Sequence, residues 1–238
     1  DAPPAPALSE ARSLLIELGA LDASGRLTPE GEAMRRLSLP VRLAHMVTSA
    51  PDTRSAAELA VLITERGLGG TSIDLDQRLS RFRTDRSPRA QAAKAIAEKL
   101  ARAVSSNKRL SGTASSAGSM LVLAYPDRVA RARGEYGRYV LANGRGAVLD
   151  ATEQLAKEPF LVVADLQGKA QGARIASAAA ISEGDVRILL SDRLETSSET
   201  TFDAERRTVR VRETVRLGAI RLSEKPLASP KGADADRA

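Results

Sequence analysis

Cysteine and tryptophan are absent from this chain, and histidine occurs once, at position 45. Without cysteine there is no disulfide, no thiol nucleophile and no zinc knuckle, and a single histidine leaves little material for a metal site. His45 itself sits between apolar neighbours in Leu43-Ala-His-Met-Val47, so it reads as a structural residue without chemistry. The aromatic residues are only three tyrosines and three phenylalanines; a protein that stacked a ring on every base of a nucleic acid would carry more. No apolar run approaches the roughly 18 residues needed to span a bilayer, and the Asp-Ala-Pro-Pro start has neither the basic nor the apolar region of a leader. These absences lead us to expect a cytoplasmic protein of bacterial type with no membrane partner. The chain has no initial methionine, and Asp1 to Pro6 reads as a linker from within a larger protein. There is also no phosphate-binding G-x-x-x-x-G-K-[ST]: Gly67 to Thr71 is glycine-rich, but no lysine follows it. No pair of carboxylates stands out as an acid–base couple, and Asp127, between Pro126 and Arg128, reads as a local turn cap.

What is present is arginine. The 238 residues carry 36 Lys+Arg against 30 Asp+Glu, a net charge of +6, and the basic side is overwhelmingly arginine. Guanidinium groups bind phosphate bidentately and stack on rings, which favours a nucleic-acid partner. Arginine-rich usage also accompanies GC-rich genomes, so charge alone does not decide. The hydrophobic fraction of 42% is enough for genuine cores in one large domain or two to three small ones.

The densest basic stretch is Tyr125 to Leu149, with five arginines against one acid between Arg128 and Arg145. Tyr136 to Leu141 alternates as a strand, Asn143-Gly144-Arg145-Gly146 has hairpin-turn chemistry, and Ala147 to Leu149 resumes as the partner strand. A basic hairpin on a small barrel holds single-stranded nucleic acid by tracking its backbone. The candidate contacts are Arg128, Arg131, Arg133, Tyr136, Arg138, Asn143 and Arg145. Parity places Tyr139 with Leu141 toward the core and Tyr136 with Arg138 toward solvent.

Along the chain the spacing predicts a multidomain α+β protein. Ser9 to Leu18 is helical, Ala20 to Asp22 and Gly25 to Thr28 form a minimal wing, Thr28-Pro29 opens a second helix, and a third runs from about Arg42 to Ala50. Residues 7–50 thus suggest a winged helix, after a linker at 1–6. Residues 51–118 read as a helical bundle, with helices over Ser55 to Arg66, Leu75 to Phe82 and Pro88 to Val104, then a loop from Ser105 to Ser119. Residues 119–225 begin with a short helix, Met120 to Tyr125, and become β-rich. Phe160 to Leu166 and Arg174 to Ala180 belong to a five-stranded Greek-key barrel, Ser182 to Leu190 is helical, and Glu195 to Phe202 pairs with Arg207 to Leu217 in a C-terminal hairpin. In Thr208 to Leu217, Arg210, Arg212 and Arg216 share one face; their expected partners are Glu195 and Glu199 across the hairpin. Residues 226–238 read as a disordered polar tail.

The words LLIELGALDASGRLTPEGEAM (Leu14 to Met34), LSLPVRLAHM (Leu37 to Met46), AYPDRVARARG and GRYVLANGRGAVL resemble the C-terminal half of HrpB-type DEAH-box ATP-dependent RNA helicases. The likeness runs, with gaps, from about Ala7 to Pro226. It implies a winged helix, a helical bundle called the ratchet, and an OB-fold following two motor domains. It implies single-stranded RNA and the motor domains of the same polypeptide as partners, with ATP and magnesium needed only by the motor. The chain departs from the family pattern at Ser38 and Val41, where prolines are usual, and at Gly67, where an acid is usual. It has no Asp-Glu-Ala-His box, so no ATP hydrolysis by the family mechanism is expected of it. Two other readings are a duplex-DNA regulator, which would present Arg42 to Thr48 to a major groove, and a scaffold whose basic hairpin docks an acidic protein.

Overall fold

A computed structural model describes residues 4–104, 116–168, 172–203 and 208–227. Helix α1 (Ala5–Glu17) precedes a single antiparallel bridge, Leu21 to Leu27, and Thr28 caps α2 (Pro29–Arg35) by accepting the Gly31 N–H. Helix α3 (Val41–Ser49) follows directly. The linker expected at 1–6 is therefore shorter, since Ala5 and Pro6 already belong to α1, where proline is tolerated in the first turn. Helices α4 (Thr53–Thr64), α5 (Leu75–Thr84) and α6 (Pro88–Ala103) begin at Asp52, Asp74 and Ser87, each of which caps its helix with a side-chain oxygen.

Helix α7 (Ala117–Ala124) starts earlier than its apolar run suggests, because Ser116 accepts the Ser119 N–H as the cap. Of the loop expected over Ser105 to Ser119, residues 105–115 lie outside the described residues. Ala117, Gly118, Met120, Leu121, Val122 and Ala124 are all buried. This helix packs against α3, α4, α5, strands of the barrel and a later helix, α8 (Glu183–Leu189).

The barrel closes in the order β1-β2-β3-β5-β4, from β1 (Val129–Ala132), β2 (Arg138–Leu141), β3 (Gly146–Val148), β4 (Phe160–Gln167) and β5 (Ala173–Ala180). Only the β3–β5 pair is parallel. This is the five-stranded arrangement of an OB-fold. Its interior is filled by Ala130, Tyr139, Leu141, Ala147, Leu161, Val163, Ile175 and Ala178. β4 is buried on both faces: Leu161 and Val163 point in, while Phe160, Val162 and Ala164 join the main helical core. That explains why its sequence reads as a continuous apolar run.

Two strands were not expected. β1 falls in the arginine-rich run, where a strand of four residues shows only two apolar positions, Val129 and Ala130, as buried. β8 (Ile220–Leu227) adds a third strand to β6 (Glu195–Asp203) and β7 (Thr208–Leu217), so the C-terminal hairpin is a three-stranded sheet. Pro226 and Leu227 of the expected tail belong to β8, and residues 228–238 lie outside the described residues. Pro226 is in an edge strand, where its missing N–H is harmless.

Gly118 marks where α7 and β5 touch. A Cβ there would lie 2.1 Å from the Ala180 carbonyl oxygen. Gly118→Ala is expected to force these elements apart and cost about 1–3 kcal/mol, read as a lower midpoint in denaturant melts; an unchanged midpoint would contradict the close packing.

Candidate nucleic-acid interface

The hairpin forms as its turn chemistry dictates. Gly144 adopts φ 83°, Leu141 N–H donates to the Arg145 carbonyl, and the Asn143 carboxamide oxygen accepts the Arg145 N–H at 3.1 Å. Its strand begins at Arg138 rather than Tyr136, because Gly137 (φ 79°) turns the chain beneath the Leu149 carbonyl, where a Cβ would approach to 2.2 Å. Tyr136 thus lies in the 133–137 loop, 71% exposed. Tyr139 is 3% exposed, and its hydroxyl donates to the Leu155 and Glu158 carbonyls at 2.7 and 2.9 Å. Burial pushes its pKa up to about 12.

The candidate arginines divide by what they already hold. Arg128 is half-buried, donates to the Ala164 carbonyl at 2.8 Å and lies over the Tyr125 ring at 4.7 Å. Arg131 donates to the Arg221 carbonyl, tying β1 to β8, and lies over Phe160. These two guanidiniums serve the fold. Arg133 and Arg145 are exposed and make no ion pair among the described residues. Arg138 pairs with Glu135 at 3.2 Å, but both side chains are largely exposed, and such pairs are worth little. Asn143 is exposed, shaping the turn.

The register adds a residue that sequence reading missed. Arg138 lies opposite Val148 on β3, and Val148 opposite Arg174 on β5. Arg174 is exposed and makes no salt bridge among the described residues, although its charge, after the Thr152 hydrogen bonds, helps hold the Asp150 carboxyl below the usual range. It therefore shares a row across the outer face with Arg138. The parity of Ala173 and Ile175, both buried, carried this signal; the β3–β5 pairing that aligns the row did not show in sequence. On β7, Arg212 pairs at 2.7 Å with Glu224 of β8, a partner hidden with that strand; in register, Glu195 lies opposite Arg216 and Glu199 opposite Arg212.

Helix α3 faces inward. Arg42 donates to Asp127 at 2.7 Å and to the Ala124 carbonyl at 3.0 Å, and lies 5.6 Å from the Tyr125 ring. Asp127 is thus an ion-pair partner 85 residues away in sequence and not the local cap expected of it, since among the described residues its carboxylate accepts no neighbouring backbone N–H. His45 Nδ1 is 2.9 Å from the Leu123 carbonyl; since a carbonyl only accepts, Nδ1 carries the proton. Burial lowers the His45 pKa against the opposing pull of that bond. The polar groups a duplex reader would extend into a groove are engaged at the end of α7.

A model of the helicase associated domain (HA2), winged-helix, matches residues 11–41. The ATP-dependent RNA helicase HrpB of Escherichia coli (strain K12) is 32% identical over 240 residues, which takes in 97% of this chain and 28% of the relative. A crystal structure of the E. coli DExH-box NTPase HrpB matches 97% of the chain with a TM-score of 0.78 and 30% identity. A second, of the E. coli DEAH/RHA helicase HrpB, matches 98% with a TM-score of 0.77, again at 30% identity. The chain spans about 28% of the length of each.

Because the folded His45 pKa lies below its ordinary 6.5, the unfolded chain takes up a proton that the folded chain resists. Stability is expected to fall as pH drops through 6.5 toward the folded value. His45→Asn, which keeps a donor but does not titrate, is expected to flatten that part of a stability-versus-pH curve. Arg42→Ala, which leaves Asp127 without its partner, is expected to cost about 1–3 kcal/mol, measured by denaturant unfolding.

Proposed function

We propose that this chain, which is similar in sequence and fold to the C-terminal region of an HrpB-type helicase, is the accessory region that holds single-stranded RNA beside the motor of an ATP-dependent RNA helicase. One observation carries this reading. A closed barrel of OB order presents Arg133, Arg138, Arg145 and Arg174 on exposed positions, three of them without a salt bridge among the described residues. Guanidiniums left unpaired on such a face are free to exchange water for phosphate oxygens.

The chemistry is holding rather than cleavage. Phosphate contacts carry no sequence information, and the one strongly exposed aromatic beside these arginines, Tyr136, offers a single stacking surface. Binding is therefore weak in sequence preference. Nucleotide hydrolysis belongs to motor domains of the same polypeptide, with their ATP and magnesium. The isolated chain, given RNA and ATP, is expected to release no phosphate above a protein-free control.

Four arginines at about 0.7 per phosphate give a slope of log affinity against log salt of roughly −3. Replacing Arg138 and Arg145 together by alanine is expected to flatten the slope to about −1.4 and to weaken oligouridylate and mixed-sequence RNA alike. The melting midpoint is expected to hold, since both side chains are exposed. Unchanged affinity and slope in a folded double variant would contradict the proposal.

A further inference from the structure

The turn that carries Arg145 is not placed by the barrel's own pairing. β2 and β3 are paired only as far as Val140 opposite Gly146, and β3 meets β5 only at Ala147 and Val148. The loop beyond contains Gly144 at positive φ and ends at Gly146, so its backbone is freer than that of a loop without glycine. Yet it is tied from outside at Ala142 and Asn143. The Ala142 N–H donates to the Val129 carbonyl of β1 at 2.8 Å, the Asn143 N–H donates to the Asp127 carbonyl at 3.1 Å, and the Ala142 carbonyl accepts the Ala219 N–H at 2.8 Å.

The last of these ties comes from the C-terminal sheet. Gly218 and Ala219 are the whole turn between β7 and β8, which pair as far as Leu217 opposite Ile220. Gly218 has φ 53°, and a Cβ there would lie 2.3 Å from the Ala142 carbonyl oxygen, well inside van der Waals contact. From the other side, a Cβ at Gly144 would lie 3.7 Å from the Ala219 methyl, an ordinary contact. The two turns therefore sit against each other, with glycine where they are closest.

The β7–β8 end is itself anchored. Leu217, Ile220 and Leu222 are buried in the core cluster that includes Ala142, and Arg131 of β1 donates to the Arg221 carbonyl. A held turn thus meets a glycine-bearing one. Arg145 follows the contact closely: its N–H is bound to the Asn143 carboxamide and its carbonyl accepts the Leu141 N–H. A shift at Ala142, between those two partners, carries Arg145 with it.

We infer that the β7–β8 turn is a positioning element for RNA: Gly218 and Ala219 fix the place of the Ala142 carbonyl, and with it the reach of Arg145 toward phosphate. The inference rests on the proposed RNA-holding role. Gly218→Ala brings a Cβ against the Ala142 carbonyl and is expected to push the hairpin turn away from the sheet. Its first readout needs no RNA: the backbone amide resonances of residues 143–146 are expected to shift, while those of β5 hold. The second is a double-mutant cycle with oligouridylate. In the wild-type background Arg145→Ala is expected to weaken binding several-fold and to flatten the salt slope by about 0.7, the share of one phosphate. In the Gly218→Ala background that loss is expected to be present already, so that Arg145→Ala adds little. Arg133→Ala, in the 133–137 loop, is expected to cost the same in both backgrounds. Gly218→Asn, a residue type that tolerates positive φ, brings the same Cβ with less backbone strain and replaces the alanine variant if that one does not fold. Unmoved resonances at 143–146, or an Arg145→Ala loss as large with Gly218→Ala as without it, would refute the positioning role. No loss from Arg145→Ala in the wild-type background would instead overturn the part given to Arg145 in holding RNA, and this inference with it.

Discussion

The fold depends on burying α7. Its residues Met120 to Ala124 are apolar all round, and a helix without a polar face is stable only when other elements enclose it. The elements around it answer that need. The Asp76 side chain accepts the Ala117 N–H at 2.8 Å from α5, while His45 and Arg42 of α3 bind the Leu123 and Ala124 carbonyls. Gly118 lets β5 come against its first turn. One eight-residue helix thus has its N–H end met by the bundle, its carbonyl end by the helix–wing–helix segment, and its flank by the barrel. Burial of Asp76 for this purpose raises its pKa, the cost of placing a carboxylate where the helix needs an acceptor.

That arrangement determines which surfaces remain available. With α3 turned toward α7, its arginine and histidine are engaged, so the helix–wing–helix segment acts here as a packing element. Tyr125, just past the end of α7, is held between Arg42 and Arg128, and Arg131 ties the barrel to β8. Arg133, Arg138, Arg145 and Arg174 lie beyond these ties and are exposed. Composition counts all of them as positive charge, but position separates those that fasten carbonyls from those that can meet phosphate.

Much of this was legible in sequence because the signals were local. Caps at Thr28 and Ser87, the Asn143-Gly144 turn, and the alternation that buries Tyr139 each depend on neighbours within a few residues. What was missed depends on partners far away. β1 and β8 are recognisable as strands only through the strands they pair with, and β8 supplies the Glu224 that holds Arg212. Arg174 joins Arg138 through a parallel pairing of β3 with β5. Asp127 looked like a turn cap because its partner, Arg42, is on another element. Gly137 misled for the opposite reason: alternation carried the strand back to Tyr136, whereas one positive φ ended it.

The central claim is that the exposed face of the barrel hairpin is where single-stranded RNA lies. Ultraviolet crosslinking of an oligouridylate to the folded chain, with the adducts located by mass spectrometry, tests it without altering a residue. The account predicts adducts at Tyr136 and on the peptides spanning 133–146. Adducts confined to α3 or to the β6–β8 sheet, with none on the hairpin, would contradict it.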